Sequence, residues 1–151
     1  MAELVDKTNG GFLISKIKQI QGRVFEKLRT EHGIDQFNGA QGRILFVLWE
    51  IDNIPIHELS DKTGLAKTTL TGMLDRLEAS GHIRRAFDPQ DRRKVNILLT
   101  EASRGLKSQY DDVSRKMSEL FYEGFADEEI LQFENCLARI LKNLTGKDAL
   151  K

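Results

Sequence analysis

Apolar residues along the chain fall into a succession of helical stripes, interrupted once by two short runs of strand-like character. Ile17, Ile20, Val24 and Leu28 recur at steps of three and four, with Lys16, Lys18, Arg23 and Lys27 between them. That spacing predicts an amphipathic helix ending near His32 and Gly33. Ile44, Leu45, Phe46, Val47, Leu48 and Trp49 form a nearly unbroken apolar run, so the helix predicted over 38–51 should be buried on most sides. Asp52, Asn53 and Pro55 mark a turn, Ile54 and Ile56 suit one short strand, and 57–63 reads as a two-turn helix closed by Gly64.

Leu70, Met73, Leu74 and Leu77 then fall at i, i+3, i+4 and i+7, predicting a helix over 67–80 with Gly81 as its left-handed cap. The opposite face is Lys67, Thr68, Thr69, Thr71, Gly72, Asp75 and Arg76, a threonine-rich surface of poor intrinsic helix propensity. Residues 83–87 and 95–99 read as strands joined by Asp88-Pro89-Gln90-Asp91-Arg92-Arg93, a hairpin with a basic tip. Thr100 caps one long helix carrying Leu106, Tyr110, Val113, Met117, Leu120 and Phe121 as far as a break near Gly124. A last helix starts at Asp127, Glu128 and Glu129, acids suited to the positive end of its dipole. It carries Ile130, Phe133, Leu137, Ile140, Leu141 and Leu144 and ends at Gly146.

A chain of 151 residues suits one fold, and the pattern gives a single domain over 1–151. Helical regions at about 9–35 and 101–146 flank a lobe at about 36–100. The formal net charge is zero, which argues mildly against a nucleic-acid partner. The distribution reverses that argument: 82–94 holds five bases (Arg84, Arg85, Arg92, Arg93, Lys94) against two acids (Asp88, Asp91). Cys136 is the single cysteine, so an intrachain disulfide is excluded and the composition fits a reducing cytoplasm. Its neighbours Phe133, Leu137 and Ile140 predict a buried, inert thiol. His32, His57 and His82 are scattered, so no metal site is expected, and no apolar stretch reaches the ~18 residues of a membrane span. A glycine-rich phosphate loop and a Cys-His pairing are both absent, so neither a cofactor nor catalysis is expected.

Two short helices joined around Gly64 suit a helix-turn-helix, whose second helix turns its polar face outward. Lys67 and the hydroxyls of Thr68, Thr69 and Thr71 can then reach base edges or phosphates, Gly72 allows close approach to a groove, and Arg76 reaches further along. Taken alone, such a helix is as readily a solvated surface helix, and a charged hairpin tip an ordinary soluble one. Their order decides between the readings: a hairpin directly after the second helix forms a wing able to lay Arg92 and Arg93 in a minor groove. The zero net charge keeps one alternative open, a winged-helix module that binds protein instead of DNA.

Residues 58–100, ELSDKTGLAKTTLTGMLDRLEASGHIRRAFDPQDRRKVNILLT, resemble the winged helix-turn-helix of the MarR family. The elements that carry the likeness are the T-L-T-x-x-L-D-R-L-E helix, the G-x-I-R-R entry to the wing, the D-P-x-D-R-R tip and the closing L-T. The sequence departs from the pattern at His57 and Ala66, where a Ser or Thr cap is common, and at Ser103, where glycine often follows the wing. The resemblance implies a mainly α fold with a small β-hairpin wing, and a transcriptional regulator, a repressor of the usual kind, acting as a homodimer on a near-palindromic operator in double-stranded DNA. It implies that Lys67 to Arg76 enter the major groove, that Arg93 reaches the minor groove with Lys94 beside it, that Asp91 braces the wing arginine, and that Arg85 supports the wing or a phosphate. Ile17, Ile20, Val24, Phe133, Leu137, Ile140, Leu141 and Leu144 become the dimerisation residues, setting two recognition helices about 34 Å apart. A small aromatic effector is implied as well, by analogy with relatives.

Overall fold

The computed structural model of the chain describes residues 2–34 and 37–146. Met1, 147–151 and the expected boundary at 35 and 36 lie outside the described residues. In chain order the elements are α1 (Ala2–Val5), α2 (Gly10–Glu31), α3 (Gly39–Glu50), β1 (Ile54–Pro55), α4 (Ile56–Thr63), α5 (Lys67–Ala79), β2 (Ile83–Phe87), β3 (Val95–Leu99), α6 (Glu101–Arg104), α7 (Lys107–Phe121) and α8 (Asp127–Thr145). The fold is mainly helical with one small antiparallel sheet of order β1-β3-β2. The chain divides between Arg115 and Lys116 into two compact units.

The first unit is built on α3. Asn38 and Gln41 form a reciprocal cap, each side chain accepting from the other's backbone N–H at 2.8 and 3.0 Å, which satisfies two donors the first turn would leave open. Ile44, Leu45, Val47 and Leu48 are buried, whereas Phe46 is exposed and Trp49 half-buried, so the apolar run faces inward on fewer sides than its continuity suggests. Around it pack Leu59 of α4, Leu70, Leu74 and Leu77 of α5, Ile83, Ile97 and Leu99 of the sheet, and Val113 of α7. The rings of Phe25, Phe37 and Trp49 surround Tyr110 at centroid distances of 5.7, 6.1 and 5.0 Å. Gly42 is needed at this crowded point, because a Cβ there would lie 2.9 Å from the Tyr110 ring.

Two of the predicted elements take a different form. The short strand is Ile54–Pro55, pairing with Ile97 and Asn96, and Ile56 instead opens α4, since Pro55 is extended and caps the helix start. The single long helix after Thr100 is broken into α6 and α7. The Ser103 carbonyl there accepts from the Leu106 N–H at 3.1 Å and from the Trp49 indole at 3.0 Å, a tighter turn that interrupts the α-helical ladder. Thr100 does cap α6, its hydroxyl accepting from the Ser103 N–H.

In the second unit, Gly124 takes the left-handed conformation at φ 85° and lets the chain turn into α8. Tyr122 stacks edge-on against Phe121 at 4.9 Å, lies 6.2 Å from Phe133, and donates its hydroxyl to Glu134 at 2.6 Å. The helix α8 carries no buried residue. Cys136 is exposed, not buried as its apolar neighbours suggested, because that face of α8 is covered only in part: Phe133 and Leu137 are half-buried and Ile140 is exposed.

Candidate nucleic-acid interface

The turn between α4 and α5 is fixed by side chains that bond to its backbone. Gly64 closes α4 at φ 73°, Ser60 donates its hydroxyl to the Leu65 carbonyl at 2.7 Å, and the buried Thr63 hydroxyl donates to the Leu59 carbonyl at 2.7 Å. This turn sets α5 across α4 with Leu70, Leu74 and Leu77 fully buried. The same rotation leaves Lys67, Thr68, Thr69, Thr71 and Arg76 exposed along one outward face. Gly72 stands among them with nothing within 4 Å of an added Cβ, so the backbone is open to close approach there. Ala66 supplies no side-chain cap, so the N–H groups of the first turn lack that partner beside the exposed Lys67, a setting that favours an anion.

The hairpin pairs Ile83 with Leu99, Arg85 with Ile97 and Phe87 with Val95. Its tip is held by aspartates acting on the backbone: Asp88 accepts from the Gln90 N–H at 2.8 Å, and Asp91 from the Arg93 N–H at 3.0 Å. Asp91 also accepts from Nε of Arg93 at 3.1 Å, so a side chain that is 91 % exposed is nonetheless oriented. These two bonds from Arg93, side chain first and backbone second, hold the Asp91 carboxyl below its ordinary value of 3.8. Arg92 and Lys94 are exposed beside it.

Arg85 is placed differently from the other wing bases. Its guanidinium lies 2.8 Å from Asp75 and 3.0 Å from Glu78 on α5, and Glu78 also accepts from the Arg85 backbone N–H at 3.2 Å. Asp75 was legible only as part of the polar face, and Glu78 only as the closing residue of the T-L-T-x-x-L-D-R-L-E motif. Their spacing of three, which sets both carboxylates on one side of the helix, was the available signal. Asp52, read from the sequence only as part of a turn, accepts from the Leu99 N–H at 2.9 Å and pairs with Arg104, tying the end of β3 to α6. The dimerisation residues sit on α2 and α8, neither of which holds a buried residue. Ile17, Ile20, Ile140, Leu141 and Leu144 are exposed, and Val24, Phe133 and Leu137 are half-buried. Among the described residues, no cluster of three His, Cys, Asp or Glu side chains could hold a metal, and no helix is long and apolar enough to cross a membrane.

The profile of the MarR family matches residues 37–95. The HTH-type transcriptional regulator TtmR of Methylorubrum extorquens is 42 % identical over 90 residues, 60 % of this chain and 45 % of the relative, so the chain spans less than half of that protein's length. The HTH-type transcriptional regulator YsmB of Bacillus subtilis is 36 % identical over 74 % of this chain and 73 % of its own. Among solved structures, a Cys-to-Ser mutant of MarR from E. coli, complexed with operator DNA, is similar at a TM-score of 0.78 and 25 % identity, covering 87 % of this chain and 92 % of that one.

Proposed function

This chain belongs to the MarR family, and from that premise we propose that it is a transcriptional repressor that binds a near-palindromic operator in double-stranded DNA as a homodimer. The observation that carries the reading is the division of α5: Leu70, Leu74 and Leu77 are fully buried while Lys67, Thr68, Thr69, Thr71 and Arg76 face outward, directly before a hairpin tipped by Arg92, Arg93 and Lys94. Threonine and lysine at the start of the helix meet base edges and phosphates in the major groove. Arg93, oriented by Asp91, lies in the flanking minor groove, where the potential is most negative.

A pair of such helices needs a twofold, and the apolar stripes of α2 and α8 supply its material. Single apolar side chains on a surface need no explanation, but contiguous stripes along two long helices do. A small aromatic effector that shifts the spacing of the recognition helices belongs to the same reading and rests on resemblance to the family alone. The protein acts in the cytoplasm, without cofactor or catalytic activity of its own.

The test is selection of bound fragments from a random duplex pool, followed by titration against the selected sequence and an unrelated one. Binding should fall steeply with salt, prefer the selected duplex, and weaken in Arg93→Ala without loss of thermal stability. A protein that ignores both duplexes at low ionic strength and captures a polypeptide instead is the protein-interaction module left open by the zero net charge.

A further inference from the structure

We infer that Arg85 is a positioning residue and not a phosphate ligand: it fixes the wing on the recognition helix, so that the two meet their grooves as one rigid pair. The inference rests on the DNA-binding reading above and adds to it the part that sets its geometry.

The placement follows from strand alternation. Arg85 pairs with the fully buried Ile97, so its stem leaves β2 on the face turned toward the core. The guanidinium emerges against α5, where Asp75 and Glu78 stand three residues apart. Glu78 bonds residue 85 twice, one carboxylate oxygen taking the side chain at 3.0 Å and the other the backbone N–H at 3.2 Å. The helix is thus tied to the main chain of the wing strand as well as to its side chain. Arg93 is the contrast within the same hairpin, 91 % exposed against 22 % for Arg85, and held by one carboxylate where Arg85 is held by two.

Charge points the same way. One guanidinium between two carboxylates leaves a net negative site, which repels a phosphate. To serve a phosphate, Arg85 would have to bring it against two carboxylates or leave both acids uncompensated beside DNA. Stability does not account for the arrangement either, because Asp75 and Glu78 remain 64 % and 42 % exposed, and ion pairs so wetted contribute little to folding. Orientation remains. At the rise of an extended strand the wing tip lies about 15 Å beyond Arg85. A hinge of about 10° then moves Arg93 by roughly 2–3 Å, more than a hydrogen bond tolerates.

The test compares the full-length protein and its variants on two duplexes, the one selected by the wild type and an unrelated one, by fluorescence anisotropy over a range of salt. Arg85→Gln should lose about tenfold or more on the selected duplex and less than about twofold on the unrelated one, with the slope of log affinity against log salt unchanged. A fall of about one in that slope, with both duplexes weakened alike, makes Arg85 a phosphate ligand and overturns the inference, as does no change on either duplex. Asp75→Asn/Glu78→Gln separates the readings by sign. Loss of preference for the selected duplex, despite removal of two negative charges, supports the strut; tighter binding to both duplexes, from a freed Arg85, overturns it. Failure of the wild type to bind either duplex defeats the DNA-binding reading itself, a result distinct from all of these.

Discussion

The Ser103 hydroxyl donates a 2.6 Å hydrogen bond to the carbonyl oxygen of His82 and stands 3.2 Å from Nδ1 of the same residue's ring. Both residues are buried, His82 at the root of the wing and Ser103 in the short helix that follows it. Ser103→Ala leaves a buried carbonyl and a buried ring nitrogen without this partner, at an expected cost of about 1–3 kcal/mol. Urea denaturation measures it. A variant as stable as the wild type would show that the contact is replaced by water.

Two glycines should respond in opposite directions to the same substitution. Gly42→Ala places a methyl group 2.9 Å from the Tyr110 ring and 3.2 Å from that of Phe37, an overpacking expected to cost about 1–3 kcal/mol. At Gly72 the added methyl meets nothing, so Gly72→Ala should gain up to about 1 kcal/mol of helix stability. On the proposed reading, which turns this face to the groove, it should also weaken binding to the selected duplex. Thermal melts and anisotropy on one pair of samples decide both halves.

These cases show where sequence reasoning reaches and where it stops. The strands of the wing were legible to the residue, because Ile83 to Phe87 and Val95 to Leu99 flank a turn whose aspartates and proline have local work to do. The buried side of α5 was legible from a period that needs no knowledge of the rest of the chain. The break between α6 and α7 was not, since it depends on an indole N–H donated from 54 positions away. Arg85 was visible as a base that supports the wing or a phosphate, but not as one held by Asp75 and Glu78, because these partners come from another element. Cys136 was misjudged for the converse reason: apolar neighbours along a helix report a face, not what covers it.

Acid should leave the wing pair intact until well below neutrality. Hydrogen bonds from Arg93 depress the Asp91 carboxyl, so the pair's contribution is fully present above the ordinary carboxylate value of 3.8 and fades only as pH falls through the lowered one. Asp91→Asn is therefore expected to weaken DNA binding by the same factor at pH 5.5 as at pH 7.5. A defect that grows or shrinks between those two measurements would place another group in the role.

Alkali should reveal the second unit. Burial first, then the hydrogen bond and charge of Glu134, push the Tyr122 phenol up to about 12, and burial raises Tyr110, the other tyrosine, as well. The stabilisation that follows is complete below the unfolded phenol value near 10 and is lost as pH rises through about 12. Ultraviolet titration of the folded protein should show little phenolate at pH 10, and Glu134→Gln should bring one tyrosine's transition down.

Charge on the exposed stripe of α8 should separate protomers. Leu141→Asp/Leu144→Asp alters two residues that are 63 % and 64 % exposed in the single chain, so the fold of one chain has little stake in them. Sedimentation equilibrium at micromolar concentration is expected to give a dimer for the wild type and a monomer for the variant, with operator affinity falling alongside. A variant that stays dimeric would move the interface elsewhere.

The close seat of Tyr110 on Gly42 has a mechanical corollary. With so little room between ring and backbone, α7 at Tyr110 and α3 at Gly42 have no space to close further on one another. Trp49 rides on α3 and grips the Ser103 carbonyl, and Ser103 in turn grips His82. Gly42, Trp49, Ser103 and His82 thus form one continuous run of packed and hydrogen-bonded contacts from α7 to the root of the arginine-tipped hairpin.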